Sequence, residues 1–541
     1  MSALREELDR EIKKRRTFAI ISHPDAGKTT LTEKLLLYGG AIHLAGSIKS
    51  RKTQRHAVSD WMEIEKQRGI SVTSSVLQFD YAGCRINILD TPGHQDFSED
   101  TYRTLMAVDS AVMVIDVAKG VEAQTKKLFR VCKQRGIPIF TFVNKLDHYG
   151  KLPIDIMDEI ENVLGIRSYP MNWPIGQDGQ YLGVYDRQNK KVLLFAADTS
   201  HGQEARVADI YEPDDPAVIA RIGEENWQAL KDDIDLLDEA GETFDMDKVN
   251  AGELTPMFFG SAMTNFGVQD FLEGYIRMAP TPQPRMSSDG LIAPDDEKFS
   301  GFVFKIQANM NPAHRDRLAF IRICSGKFER NMEVWHERSD KPIKLAQPQQ
   351  FLAQDRQIID TAYPGDIVGL FDPGIFGIGD TICDARHKFK YADFPVFPPE
   401  KFARVQAKDT MKRKQFVKGI EQLTQEGAIQ LFRQAGAGME SYIVGTVGTL
   451  QFEVLQYRLK NEYHVDIEMQ MQPYEVARWL AYADGSEVTP SSLHGADRGM
   501  FVYDRHHNPV LLVSNEWALG WILDNNPNLK LNHVPFDKKE V

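Results

Sequence analysis

The 541-residue sequence predicts an α/β protein in three parts. An N-terminal domain built on a parallel sheet and carrying an inserted subdomain is followed by a small antiparallel β-barrel and a C-terminal α+β domain. Three observations predict this. Up to about residue 280, short continuous apolar runs (TFAII, RINILD, SAVMVID, PIFTFVN, PMFFGS) alternate with helical patterns, as in a parallel sheet covered on both faces. Two proline-rich breaks, APTPQPRMSSDG from Ala279 and YADFPVFPPEKF from Tyr391, divide the chain. Between them, GFVFKIQAN, RLAFIRICSG and GDIVGLF are short, β-branched or aromatic, and bounded by Gly and Pro.

Each part follows in order. The first domain spans 1–282, and the gap between Asn144 and Ser261 is too wide for one crossover, so an insert with strands of its own is placed at about 165–250. The barrel occupies 298–388. In 400–541, MKRKQFVKGIEQLTQEGAIQLF reads as one helix, and SYIVGTVGTLQFEVLQYRLKNEYHVDIEM as strand, Gly turn, helix, strand. The last 60 residues show no clear period.

Composition excludes several classes. No apolar window is long enough to span a bilayer, and the charged start MSALREELDREIKKRR lacks the apolar core of a secretory signal. Cys84, Cys132, Cys324 and Cys383 are widely separated, without zinc spacing, and read as reduced structural residues. A net charge of -13 argues against a surface that is basic throughout. One local basic cluster remains: Arg404, Lys408, Lys412, Arg413, Lys414 and Lys418, against Asp409 alone. The acidic run from Asp232 reads as a solvated helix face.

Four motifs carry chemistry. SHPDAGKT, residues Ser22, His23, Pro24, Asp25, Ala26, Gly27, Lys28 and Thr29, joins an apolar strand to the helical pattern TLTEKLLLYG. A phosphate-binding loop needs that arrangement: backbone N–H groups and a helix N-terminus aimed at the anion, a lysine on the β and γ phosphates, and a hydroxyl on magnesium. Ser22 stands where Gly is usual. DTPGH (Asp90, Thr91, Pro92, Gly93, His94) follows RINIL, placing Asp90 at a strand end near a metal-bound water and the Gly93 N–H near the γ phosphate. NKLD (Asn144, Lys145, Leu146, Asp147) follows PIFTFV: Asn144 faces the O6/N7 edge, and the Asp147 carboxylate accepts from N1–H and the 2-amine, donors that adenine lacks. GSA (Gly260, Ser261, Ala262) follows MFF and offers an N–H to guanine O6. Between the first two motifs, Ser71 in RGIS is the candidate switch hydroxyl, so that Thr29, Ser71 and Asp90 form the expected Mg2+ set. The order of the four, each at a strand end, predicts a P-loop GTPase domain that binds GTP/GDP.

These residues resemble the translational GTPases. Within them, HAVSDWMEIEKQRGIS, DTPGHQDFSEDTYRTLMAVD and FVFKIQANMNPAHRDRLAFIRICSGKF are similar to the bacterial release factor 3 family, a likeness running from about Arg15 to Asp466. The related elongation factor G usually has Thr where this chain has Ser71, and is longer. The resemblance implies a cytoplasmic, ribosome-stimulated GTPase that promotes dissociation and recycling of class I release factors after peptide release. Its partners would be the 70S ribosome with its RNA and those factors, and neither a membrane nor DNA. His94 matches the family's residue that orients the attacking water; Asp25 also matches, with helix or loop capping as its alternative role. Arg51, Arg55 and Arg68 lie near the switch, yet none identifies itself as a charge-stabilising finger. The competing readings are an assembly or signalling GTPase acting as a nucleotide-switched binding module, and a translocase or ribosome-protection GTPase.

Overall fold

The computed structural model describes residues 2–41, 65, 71–176, 181–195, 208–308, 317–352, 355–394, 397–434 and 442–536. In chain order the strands of the first domain are β1 (Arg15–Ser22), β2 (Ser75–Tyr81), β3 (Cys84–Asp90), β4 (Ser110–Asp116), β5 (Ile139–Asn144), β6 (Arg167–Pro170), β7 (Asn172–Ile175), β8 (Gly183–Asp186), β9 (Lys191–Phe195), β10 (Ala208–Tyr211) and β11 (Leu254–Phe259). The main sheet runs β2-β3-β1-β4-β5-β11-β6, parallel throughout except where β2 meets β3. Its central strands are buried along their whole length, which is why β4 and β5 read as unbroken apolar runs rather than alternating ones. Removing a side chain such as Val112 or Phe142, both 0 % exposed, is expected to cost about 2–5 kcal/mol by transfer and cavity terms together.

Parallel strands end on one edge. The ordering therefore brings the C-terminal ends of five consecutive strands, β3, β1, β4, β5 and β11, to a single line, the usual place for a ligand on such a sheet. The helix Lys28–Tyr38 covers one face with Leu31, Leu35 and Leu36, all 0 % exposed. Between β6 and β11 the chain builds a separate antiparallel sheet, β10-β9-β8-β7, against which the helix Glu224–Ala240 packs Trp227, Leu230 and Leu237.

Among the barrel's strands, Ser300–Ala308, Arg317–Ser325 and Ile367–Phe371 pair antiparallel, and Pro348–Leu352 lies beside β2, so one hydrogen-bonded ladder crosses from the first domain into the barrel. A buried ion pair reinforces the crossing: Arg322, 1 % exposed, donates to Asp109 at 2.6 Å and to the Gly365 carbonyl at 2.8 Å. Losing Asp109 would leave the Arg322 charge buried with only the Gly365 carbonyl, a loss of about 3–5 kcal/mol, whereas losing Arg322 leaves Asp109 paired with Arg285 at 3.4 Å.

The C-terminal domain is an eight-stranded sheet packed against the helices Arg413–Gln425 and Leu450–Tyr463. Two expectations change here. The helix expected to continue through GAIQLF stops at Gln425, because Gly427 (φ 71°) turns the chain into the strand Gln430–Gln434. The aperiodic end of the chain supplies the strands Met500–Asp504, Pro509–Val513 and Leu529–Asn532, which with Val476–Tyr482 complete the same sheet. Among the described residues no helix is long and apolar enough to cross a membrane.

Candidate nucleotide-binding site

The loops at the ends of β1, β3, β5 and β11 enclose a cavity of about 500 Å³, of a size to take a nucleotide. Ser22, Lys28, Thr29, Ser71, Gly93, His94, Asn144, Asp147 and Met263 are among its walls.

The β1 loop explains its unusual first residue. The left-handed positions are Asp25 (φ 67°) and Gly27 (φ 93°), not Ser22, which ends β1 in ordinary backbone and is 1 % exposed. A glycine is required only at Gly27, where a Cβ would come within 2.2 Å of Asn144 Nδ2. Asp25 tolerates its φ as Asp can, is exposed, and accepts no hydrogen bond among the described residues, so the capping role weighed for it is not what the structure shows. His23 reaches Glu122 at 3.3 Å. Pro24 lies beneath Gly93, whose Cβ would be 3.4 Å from the Pro24 backbone.

Lys28 opens the helix, is 6 % exposed, and its ammonium pairs with Asp90, 1 % exposed. Oδ2 of Asp90 is buried with no hydrogen-bond partner among the described residues. A carboxylate oxygen next to the cavity-lining Lys28, with the Thr29 and Ser71 hydroxyls in the same cavity wall, fits a hard divalent cation, which takes oxygen ligands. Thr91 and Pro92 serve the scaffold: the Thr91 hydroxyl donates to the Ile20 carbonyl at 2.6 Å, and the Pro92 carbonyl accepts from Thr101 at 3.2 Å. His94 lines the cavity while its Nδ1 accepts the Asp96 N–H at 3.2 Å, which places the proton of a neutral ring on Nε2.

At the base end, Asn144 joins two loops. Its Nδ2 donates to the Ala26 carbonyl at 2.9 Å and its Oδ1 accepts the Ala262 N–H at 2.8 Å. In the GSA loop the Ala262 N–H donates to Asn144 Oδ1 and the Ser261 N–H to the Phe266 carbonyl. The Ser261 hydroxyl instead donates to Asp147 Oδ1 at 2.6 Å and sets the carboxylate's orientation. Leu146 is 0 % exposed and its N–H donates to the Gly260 carbonyl.

Sequence reading missed Asp116 and Glu65. Asp116 ends β4 and holds Lys145 (φ 69°) across the cavity at 2.7 Å. Burial alone would raise its pKa, but the Lys145 ammonium and the Ala118 N–H prevail and hold it below the ordinary value. The signal existed, since Asp116 terminates an apolar strand just as Asp90 does. Glu65, 0 % exposed, accepts the Val72 and Thr73 N–H groups at 2.9 and 3.2 Å and fixes the chain entering from Ser71. The rest of the switch segment, with Arg51, Arg55 and Arg68, lies outside the described residues.

Comparison with known proteins agrees with this geometry. The model of the elongation factor Tu GTP binding domain matches residues 13–281, that of elongation factor G domain 2 matches 298–385, and that of the class II release factor RF3 C-terminal domain matches 391–523. A Symbiobacterium thermophilum protein named peptide chain release factor 3 is 58 % identical, over 97 % of this chain and 98 % of its own. The chain belongs to the peptide chain release factor 3 family. Further release factor 3 relatives, from Listeria innocua and a Cyanothece strain, are 54 % and 52 % identical over 98 % of this chain and 99 % and 97 % of theirs. A solved structure from Thermus thermophilus shares the fold at a TM-score of 0.68 and 20 % identity, covering 87 % of this chain and 69 % of its own. Membership in the release factor 3 family makes this chain a GTPase of translation termination, a reading the RF3 C-terminal match favours over a general nucleotide switch.

Proposed function

We propose that the chain hydrolyses GTP when engaged on a 70S ribosome and that this drives class I release factors off after the peptide is freed. The observation that carries the reading is the ring of four loops at neighbouring strand ends around one cavity, Lys28 and His94 at one end and Asp147 at the other. Lys28 would turn from Asp90 to the β and γ phosphates, with the Gly93 N–H toward the γ phosphate. Thr29, Ser71 and Asp90 would hold Mg2+, which when bound neutralises charge on the phosphate oxygens. Asp147 would read guanine, and Asn144 would keep its remaining Nδ2 hydrogen for the base edge.

His94 is assigned to the water. With Nδ1 occupied by the Asp96 N–H, a neutral ring carries its proton on Nε2 and has no free lone pair to act as a base toward the cavity. It therefore orients water or phosphate oxygen by donation. Phosphoryl transfer needs such positioning more than covalent chemistry.

The three units at 1–282, 298–388 and 400–541, with the insert at about 165–250, act in the cytoplasm with no membrane or DNA partner. Lys408, Arg413, Lys414 and Lys418 are exposed and are proposed to face ribosomal RNA; Lys412 is tied to the His464 carbonyl at 2.7 Å and Arg404 to Gln434 at 2.9 Å. Multiple-turnover GTP hydrolysis, with and without ribosomes halted at a stop codon and loaded with a class I factor, tests the proposal. Stimulation by orders of magnitude together with factor release supports it; hydrolysis indifferent to such ribosomes refutes it.

A further inference from the structure

The loop carrying His94 is held from outside its own domain. Asp96 donates its N–H to His94 Nδ1 at 3.2 Å, while its carboxylate Oδ2 accepts the N–H of Leu450 at 2.8 Å. Leu450 is the first residue of the helix Leu450–Tyr463 in the C-terminal domain, and the N-cap of that helix, Thr449, makes no side-chain capping bond. Gln451 is spent on the Val447 and Gly448 N–H groups before the helix, and the Asp96 carboxylate caps the helix's first N–H from across the interface. The other carboxylate oxygen, Oδ1, lies 3.3 Å from His94 Nδ1.

The fit is close on every side. A Cβ on Gly448 would lie 2.0 Å from Asp96 Cγ and 2.2 Å from both carboxylate oxygens. Asp96 is 6 % exposed, and next to it Phe97 packs with Val72 and Val454 in a small apolar contact bridging the two domains. Further along the following helix, Arg103 donates to the Gly427 carbonyl at 3.3 Å. From the barrel, Lys305 donates to the Ser74 carbonyl, and Ser74 in turn donates to Asp100 at 2.7 Å.

We infer that Asp96 is a positioning residue for hydrolysis: anchored on the N-terminus of the helix Leu450–Tyr463, it holds His94 toward the cavity and places turnover under the control of the C-terminal domain. The inference rests on the assignment of His94 above. The physical step is short. Asp96 lies in a single 3₁₀ turn, Gln95–Phe97, which has too few internal hydrogen bonds to fix its own backbone. Its N–H stays against His94 Nδ1 because the carboxylate is fastened elsewhere. A shift of the C-terminal domain by about 1 Å would release that fastening and free the ring to rotate.

Asp96→Ala cuts the anchor from the GTPase side. Gly448→Ala displaces it from the C-terminal domain, touching no residue of the cavity; Gly448 has no positive φ, so the backbone itself accepts alanine. In the full chain with ribosomes, both should lower kcat for GTP at least tenfold with KM and GDP affinity within threefold of wild type. Asp96→Asn, whose amide oxygen can still accept from Leu450, should stay within threefold in kcat. In a His94→Ala background neither change should lower kcat further. Near-normal kcat in both single variants, with His94→Ala defective, overturns the inference, as does a further tenfold loss on top of His94→Ala. Wild-type turnover in His94→Ala would overturn the assignment of His94 itself. If Gly448→Ala does not fold, judged by GDP binding, the Asp96 variants in the two backgrounds decide alone.

Discussion

Asp147→Asn isolates the step that reads guanine. The carboxylate accepts the Ser261 hydroxyl on Oδ1 at 2.6 Å, and its side chain is 22 % exposed beside His148. An asparagine can keep the Ser261 bond with its amide oxygen, which turns its NH2 toward the two guanine donors. Two charge-assisted bonds are then replaced by a donor facing donors. At about 1.5–3 kcal/mol each, discounted for partial exposure, the loss is about 3 kcal/mol, or about a hundredfold in Kd. Xanthosine nucleotides carry a carbonyl in place of the 2-amine and match the amide, so their affinity should rise as that for GTP falls. Ser261→Ala leaves the charge but frees its orientation, for about 1 kcal/mol or about fivefold. Nucleotide titration of the purified variants measures all three quantities. A GTP Kd for Asp147→Asn within threefold of wild type, without a gain for xanthosine nucleotides, would remove NKLD from the base site.

The other predictions concern turnover, RNA and pH. His94→Ala should keep GTP affinity within a few fold and lose ribosome-stimulated turnover by roughly two orders of magnitude, about 3 kcal/mol in barrier; a melting scan should also show a modest loss of stability, about 1 kcal/mol, from the Asp96 N–H left without its acceptor. Changing Lys408, Lys414 and Lys418 together to Ala should weaken ribosome binding and reduce the slope of log K against log salt by about 2–3, with GDP binding unaffected; an unchanged slope would return them to solvent. Burial, chiefly, and the nearby Asp186 push the Asp270 carboxyl up to about 7. Its unfolded value is about 3.9, so the folded state holds the extra proton between the two, and stability should fall as pH rises from about 4 to 7 and level off above. Asp270→Asn should flatten urea-unfolding stability over that window, and a variant with the wild-type pH dependence would show that another group is responsible.

The fold class and the places of the four loops are written in the sequence alone. In a buried parallel sheet each strand is a continuous apolar run and each functional loop follows it directly, so strand, turn and chemistry occupy adjacent residues, as in PIFTFV before NKLD. Asp116 is legible by the same rule. Which partner each polar group takes, in contrast, is settled by packing. Ala262 gives its N–H to Asn144, Ser261 turns Asp147, and Asp96 caps a helix more than 350 residues away. The C-terminal strands follow the same logic: Phe432 pairs with Asp504 across a separation no local pattern encodes, which is why the last 60 residues read as aperiodic while completing a sheet. A hydrogen-bond donor is identified by its residue type, but its acceptor is selected by what the packed chain brings within about 3 Å.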